Sequence, residues 1–229
     1  ILNDYTSVHT NRPERAECLM ARGSLLTLQN LHEQSYEAKK RAVEVCEENH
    51  DVLRLANAYN GLGVSLYHFG KNDLALEHFN RAIKFAKRIG DLLSQGYLLF
   101  NTASVYIEMP QLSKAQEYLD SAREIFERLE ENRMVAMTDL SLAFVHYERE
   151  ELNKADELLR SHLERIEKHG TSSDLMTSFK KAAELYEEMG RTNRARKCFE
   201  LALSLSEKLA RSELSSDLLR EFRERSKLD

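Results

Sequence analysis

The sequence predicts an all-α protein made of five consecutive helix–turn–helix units, each 40 residues long. Small residues recur at that interval without an insertion, and such internal repetition indicates stacked copies of one supersecondary unit. Each interval also holds two stretches with the apolar periodicity of a helix, separated by a short break. The two clearest ladders of small residues are Gly23, Gly63, Ala103, Ala143 and Ala183, and Ser35, Ala75, Ala115, Ala155 and Ala195.

The second unit shows how each element follows from its residues. Its first stretch places Tyr59, Leu62 and Leu66 at i, i+3 and i+7, which is one face of a helix and not the alternation of a strand. Gly70 interrupts this pattern, and a second apolar face begins at Leu76. A joint this short makes the two helices antiparallel neighbours. The same break falls at positions 30, 110, 150 and 190, so every unit is predicted to be a helical hairpin.

The repeats divide the chain into three regions. Residues 1–13 are a lead-in, residues 14–211 form the repeat array, and residues 212–229 fall outside the pattern. In this last region Leu214, Leu218 and Phe222 share one helical face, which predicts a helix that caps the array or begins a linker. The five predicted units span about residues 14–51, 52–91, 92–131, 132–171 and 172–211.

The order of small and aromatic residues within a unit resembles the tetratricopeptide repeat (TPR). The matching residues of the second unit are Tyr59, Leu62, Gly63, Ala75, Phe79 and Ala82. Those of the last unit are Phe179, Ala183, Tyr186, Ala195, Phe199 and Ala202. The period of 40 exceeds the 34 residues of the common TPR. In this respect the chain resembles the long repeats of spindle-orientation scaffolds and of bacterial peptide-responsive signalling regulators.

This resemblance implies a right-handed superhelical solenoid whose first helices line a concave inner surface, with the C-terminal helix as its cap. It also implies a non-catalytic scaffold or ligand-sensing module that binds a peptide or an amphipathic helix in that groove. Two alternatives remain open. The array could be a structural module that associates with itself as a homodimer, or the sensor region of a larger transcription or signalling regulator.

Composition and motifs exclude several other classes of function. The net charge of −5 and the pI near 6.0 argue against direct nucleic-acid binding, which needs a basic surface. No apolar stretch approaches the roughly 18 residues of a membrane helix, and no signal peptide is visible. The three widely spaced cysteines predict reduced thiols in a cytoplasmic protein. No phosphate loop, nucleophile elbow or zinc-ligand spacing occurs, so we expect no enzyme activity, no metal and no cofactor.

The fourth unit departs from the pattern in three positions. Asp139, His146 and His162 stand where most of the other units carry apolar or small residues. Together they could form a buried hydrogen-bonded cluster, a pH-sensitive contact or a weak metal site. The simpler interpretation is a slight rotation of the second helix that lets the histidines reach solvent.

The predicted groove consists of first-helix residues that point away from the second helices. The central units present an aromatic and aliphatic floor with asparagines at its edge, and an amide pairs with both the donor and the acceptor of a peptide backbone. An exposed apolar strip of this size favours a bound peptide or protein segment, unless part of it is core between helices. The candidate binding residues are Asn57, Asn60, Tyr67, Tyr97, Phe100, Asn101, Met137, Leu140, Phe144 and Tyr147.

Overall fold

The computed structural model describes the backbone of residues 13–209 and the side chains of residues 14–171 and 173–205. These residues form ten α-helices and no strand, which confirms the predicted all-α class. The predicted lead-in before Pro13 and the predicted capping helix lie outside the described residues. The helices are α1 (Pro13–Leu28), α2 (His32–Glu48), α3 (Val52–His68), α4 (Asn72–Ile89), α5 (Leu92–Glu108), α6 (Leu112–Arg128), α7 (Asn132–Glu148), α8 (Leu152–His169), α9 (Ser172–Glu188) and α10 (Thr192–Leu209).

The helices pair as hairpins because the turns between them contain only two or three residues. Helix α1 packs against α2, α3 against α4, α7 against α8, and α9 against α10. The rings of Tyr106 and Tyr118, with centroids 5.4 Å apart, join α5 to α6. None of the helices from α1 to α10 is both long and apolar enough to span a membrane.

The backbone confirms the predicted breaks inside the hairpins. Asn30, Gly70, Glu150 and Gly190 all have positive φ, with values of 58°, 68°, 61° and 67°. This left-handed conformation ends a helix, and it strains any residue that carries a Cβ. Side-chain caps occur between hairpins instead, as at the start of α3, where the Asp51 carboxylate accepts a hydrogen bond from the Arg54 backbone N–H at 3.2 Å. The turn chemistry therefore repeats with the sequence period.

The chain divides into two compact units, one ending at Ile125 and the other beginning at Phe126. Each unit has its own cluster of buried apolar residues. The division falls inside α6, so it does not coincide with a repeat boundary. The boundaries of the five repeats remain a proposal based on the sequence.

The small residues lie where helices cross closely. In the first unit, a Cβ placed on Gly63 would be 2.6 Å from Cε1 of Phe79, which is closer than real contacts allow. Glycine therefore lets α3 and α4 approach, and the Phe79 ring fills the space beside the crossing. In the second unit, Ala143 and Ala183 are completely buried and belong to the same core cluster as the buried ring of Phe199.

Lys39 on α2 breaks the apolar pattern of the first core. Its side chain is only 5% exposed, and its ammonium group donates hydrogen bonds to Thr27 Oγ1 at 3.2 Å and to Ser65 Oγ at 3.1 Å. Burial lowers the pKa of the Lys39 amine below its ordinary value. The repeat pattern alone does not mark this residue as buried. The equivalent positions of the other repeats are Phe79, Leu119, Leu159 and Phe199.

Candidate functional site

In the first unit, helices α3 and α5 contact each other and expose neighbouring sides. We call this surface the α3–α5 face. Its side chains follow helical spacing, so they lie in rows along each helix. The face consists of Leu53, Asn57, Asn60, Val64 and Tyr67 on α3, and Leu93, Tyr97, Phe100, Asn101, Ser104 and Ile107 on α5.

The structure brings together the six candidate residues of the first unit on this face. Asn57 is exposed, whereas the side chains of the other five are half-buried. Half-burial orders an aromatic ring while leaving one side available for contact. The five half-buried candidates are Asn60, Tyr67, Tyr97, Phe100 and Asn101. Their role in binding remains a prediction.

Two asparagine side chains form an amide pair across the α3–α5 face. Nδ2 of Asn101 donates a hydrogen bond to Oδ1 of Asn60 at 2.9 Å. Each side-chain amide has a donor group and an acceptor oxygen, so this bond uses neither the Asn60 NH2 nor the Asn101 oxygen. A peptide group needs one partner of each kind. The pair therefore has one donor group and one acceptor group that it does not use itself.

A second hydrogen bond joins the two helices at the other end of the face. The hydroxyl of Tyr67 on α3 donates to Oε1 of Glu108 on α5 at 3.2 Å. Burial raises the pKa of the Tyr67 phenol, and the negative charge of Glu108 and this hydrogen bond raise it further. The phenol therefore stays protonated at neutral pH and remains able to donate, which holds the Tyr67 ring in place.

Two exposed leucines that are not among the candidate residues extend the α3–α5 face. Leu53 is 67% exposed and Leu93 is 39% exposed. They precede Asn57 and Tyr97 by one helical turn and share the repeat interval, so the same spacing argument could have found them. They continue the apolar surface to the start of both helices.

The remaining four candidates lie on α7 in the second unit and are more deeply packed. Leu140 is only 9% exposed and belongs to the core of that unit. Phe144 and Tyr147 are half-buried and pack against the same core, and Met137 is also half-buried. The interpretation that part of the predicted floor is core between helices therefore holds for Leu140, whose side chain has little surface to offer a ligand.

The unusual polar residues of the fourth repeat are buried, which corrects the interpretation that its histidines reach solvent. Asp139 and His162 are completely buried, with Asp139 accepting a hydrogen bond from Ser161 Oγ at 2.7 Å. Nδ1 of His162 lies 2.8 Å from the Ala136 carbonyl oxygen, and burial lowers the pKa of the His162 imidazole. These contacts hold the two side chains within the core of the second unit.

His146 makes a separate contact. Its Nδ1 lies 2.9 Å from Oε2 of Glu151, at the turn that follows α7. In the part of the chain that the structure describes, no group of three His, Cys, Asp or Glu side chains is placed to hold a metal ion. Asp139, His146 and Nδ1 of His162 therefore make local hydrogen bonds, whereas Nε2 of His162 is buried without a partner among the described residues.

Comparison with known proteins identifies the class of protein to which these hairpins belong. A tetratricopeptide-repeat family profile matches residues 14–88, 54–128 and 134–208. These matches cover most of the chain, so it belongs to the tetratricopeptide-repeat family, as the residue pattern indicated. No curated protein matches the sequence significantly.

Several solved structures share the fold at low sequence identity. BtubC from P. vanneervenii is 18% identical with a TM-score of 0.73, and the match covers 89% of this chain and 84% of that chain. A Rap protein complexed with Competence and Sporulation Factor is 18% identical with a TM-score of 0.80, over 97% of this chain and 61% of that chain. Nearly identical TPR-like repeats from Podosopora anserina are 16% identical with a TM-score of 0.67, over 89% and 100% of the two chains. At these identities the likeness concerns the fold alone.

Proposed function

We propose that the chain is a non-catalytic scaffold or ligand-sensing module, and that its α3–α5 face binds a peptide or protein segment. The single observation that carries this proposal is the Asn60–Asn101 amide pair. It offers one donor and one acceptor on a surface where apolar side chains surround it. The tetratricopeptide-repeat family and the similarity to a Rap protein in complex with a bound factor support the same class of function.

The aromatic side chains of the α3–α5 face also support this proposal. Tyr97 and Phe100 lie on the same helix as Asn101 and are half-buried, so they lose little conformational freedom when a partner covers them. Aromatic anchors of this kind carry a large share of binding energy at interfaces. The amide pair would fix the direction of the partner's backbone, and the rings would provide most of the affinity.

This proposal can be tested with peptides selected from a random-peptide display library on the purified protein. We expect Asn101→Ala to weaken a selected peptide about three- to tenfold, because one or two hydrogen bonds of about 0.5–1.5 kcal/mol each are lost. Phe100→Ala should weaken it at least about tenfold. The control is Asn80→Ala on α4, which removes the same type of side chain from an exposed position away from the face.

Backbone recognition has its own test in the same system. N-methylation of the selected peptide at the position opposite the amide pair should reduce affinity for the wild-type protein but have little further effect on Asn101→Ala. Equal binding of the methylated and unmethylated peptides, or equal affinity of Phe100→Ala and wild type, would show that the α3–α5 face is not the binding surface.

Two alternatives predict different solution behaviour. A homodimer that fills the face by self-association would sediment faster as the protein concentration rises, whereas a peptide-binding monomer would not. A sensor region of a larger regulator would bind peptide in the same way and differ only in the domains that accompany it. The comparison with the Rap protein is relevant to this second alternative, because this chain matches only 61% of the length of that Rap protein.

The remaining properties in this proposal are a cytoplasmic location and the absence of direct nucleic-acid binding by this region. The structure describes Cys18, Cys46 and Cys198 as free cysteines, and Cys46 and Cys198 are buried. Free thiols of this kind suit a reducing compartment. The acidic net charge of −5 opposes binding to phosphate backbones.

A further inference from the structure

A pocket separate from the α3–α5 face lies at the edge of the first unit, where α2 begins and α3 ends. Its volume is about 400 Å³, and none of its residues belongs to the α3–α5 face. Phe69, the residue that follows α3, is 37% exposed and forms part of the wall. The lining residues are Glu33, Tyr36 and Glu37 from α2, with Phe69 and Lys71 from the turn between α3 and α4.

Aromatic rings meet at right angles in this pocket. The rings of Tyr36 and Phe69 have centroids 6.1 Å apart and an interplanar angle of 81°. The His32 ring lies beside the pocket, 6.4 Å from Phe69 at 78°. Rings in this arrangement form the corner of a cage, and the negative face of an aromatic ring attracts a cation within about 6 Å of its centroid.

One cation of the protein already lies near the ring of Phe69. Nζ of Lys71 lies 5.9 Å from the centroid of Phe69. The contact shows that the face of Phe69 is open to an ammonium group. Lys71 lies two residues further along the same turn and reaches the ring on a flexible stem, so a cation from another molecule could take its place.

The charge of the pocket also favours a cation. Glu33 and Glu37 are separated by one turn of α2, and both side chains are exposed. Neither carboxylate forms an ion pair with any residue that the structure describes. Lys71 is the only cation among the described residues that line this pocket, so this lining carries one net negative charge. Arg15, Arg22 and Arg41 line a neighbouring pocket that shares the same two glutamates. A guanidinium or alkylammonium group would therefore gain two carboxylates as well as two rings.

An aromatic residue occupies both of these positions, 36 and 69, at only one place in the repeat pattern of the sequence. Tyr36 and Phe69 come from adjacent repeats, and the equivalent pairs further along the chain combine no two aromatic residues. The other repeats place Leu76 with Met109, Gln116 with Arg149, and Asp156 with Met189 at these positions. The repeat fold does not need an exposed aromatic pair here, because the hairpins form without it elsewhere.

We propose that this pocket is a second binding site, which takes the guanidinium or alkylammonium group of an arginine or lysine side chain from a partner protein. Lys71 acts as an internal competitor that occupies the Phe69 ring until the partner's cation displaces it. Glu33 and Glu37 attract the cation, and the rings of Tyr36 and Phe69 hold it. This site is independent of the α3–α5 face.

The test uses small cations as probes and records the ring resonances of Tyr36 and Phe69 by NMR. Nα-acetylarginine amide and tetramethylammonium should shift these resonances saturably, whereas neutral Nα-acetylglutamine amide should not. Phe69→Leu should weaken binding about two- to fivefold, which is the loss of one exposed cation–π contact of about 0.5–1 kcal/mol. Lys71→Gln should strengthen binding, because it removes the competing ammonium group.

Matched variants separate this site from general surface charge and from the proposed peptide surface. Glu37→Gln should weaken the probes, most clearly at low salt, while Glu117→Gln at the equivalent position of a later repeat should not. Tyr97→Leu should leave the probes unaffected. The proposal is overturned if the neutral probe binds as well as the cations, if Lys71→Gln fails to strengthen binding, or if the two rings do not respond to either cation.

Discussion

The buried amine of Lys39 provides a quantitative test of how the first core is built. Lys39 stands in a position that holds Phe or Leu in the other four repeats, and two hydroxyl groups are its hydrogen-bond partners. It forms no ion pair with a carboxylate in the described part of the chain. Burial of a charge without an opposite charge is costly, and two neutral hydrogen bonds compensate only in part.

We expect Lys39→Met to increase the free energy of unfolding by about 1–2 kcal/mol at pH 7. Methionine keeps the length of the apolar stem and removes the ammonium group, and replacing buried charges by apolar side chains is often stabilising by about 1–4 kcal/mol. We place the gain in the lower half of that range because the two hydroxyl partners already compensate part of the cost. Each unit by which burial lowers the pKa corresponds to about 1.4 kcal/mol.

The gain should depend on pH in a defined direction. The folded state lowers the pKa of Lys39, whose ordinary value is 10.5, so the unfolded chain binds the proton more tightly. Wild-type stability therefore rises relative to the variant as the pH rises through the folded-state pKa. The penalty is complete below that pKa and absent above 10.5. The difference between the two proteins should narrow accordingly.

Urea unfolding followed by circular dichroism at pH 7 and at pH 10 measures both effects. The control is Lys40→Met, which changes the exposed neighbour on the same helix and should alter stability by less than about 0.5 kcal/mol. A loss of stability in Lys39→Met at pH 7, or a gain that stays the same at both pH values, would show that burial of the Lys39 charge does not destabilise the fold.

Three further predictions concern packing, an ion pair and thiol burial. Gly63→Ala should cost about 1–3 kcal/mol of stability in urea unfolding, because the added methyl group would lie 2.6 Å from a buried ring. Arg133→Gln should lower the melting temperature clearly at pH 7 and much less at pH 2: Arg133 is the main cause of the Asp174 pKa of about 2, and the stabilisation is lost as the pH falls through that value and the carboxyl protonates. Ellman's reagent should react with Cys46 and Cys198 only after unfolding, because burial raises the pKa of both thiols to about 11.

The architecture of the hairpins could be predicted from the sequence because it depends on local rules. A positive φ at Gly70 and Gly190 and the close crossing at Gly63 follow from the absence of a Cβ, which the sequence shows directly. Each rule also recurs at the repeat interval. Because the same residue pattern recurs in several units, each unit supports the interpretation of the others. The repeat fold can therefore be predicted even though individual positions vary.

The candidate surface was harder to predict because it depends on the rotation of each helix. Leu140 has the spacing of a groove residue, yet it lies in the core of the second unit. A small rotation of a helix moves a residue between these two environments. Lys39 was missed for a different reason, since periodicity records a lysine as polar although its stem packs like an apolar side chain. The pair of Tyr36 and Phe69 required three-dimensional contact between two repeats.

The central claim is that the α3–α5 face binds a peptide through the amide pair and its neighbouring rings. The most direct measurement is NMR of the side-chain NH2 groups with and without a saturating selected peptide. We expect large shifts for Asn60 and Asn101, with nuclear Overhauser contacts to the peptide backbone, while Asn80 on α4 stays unchanged. Unperturbed Asn60 and Asn101 resonances at full saturation would contradict the account.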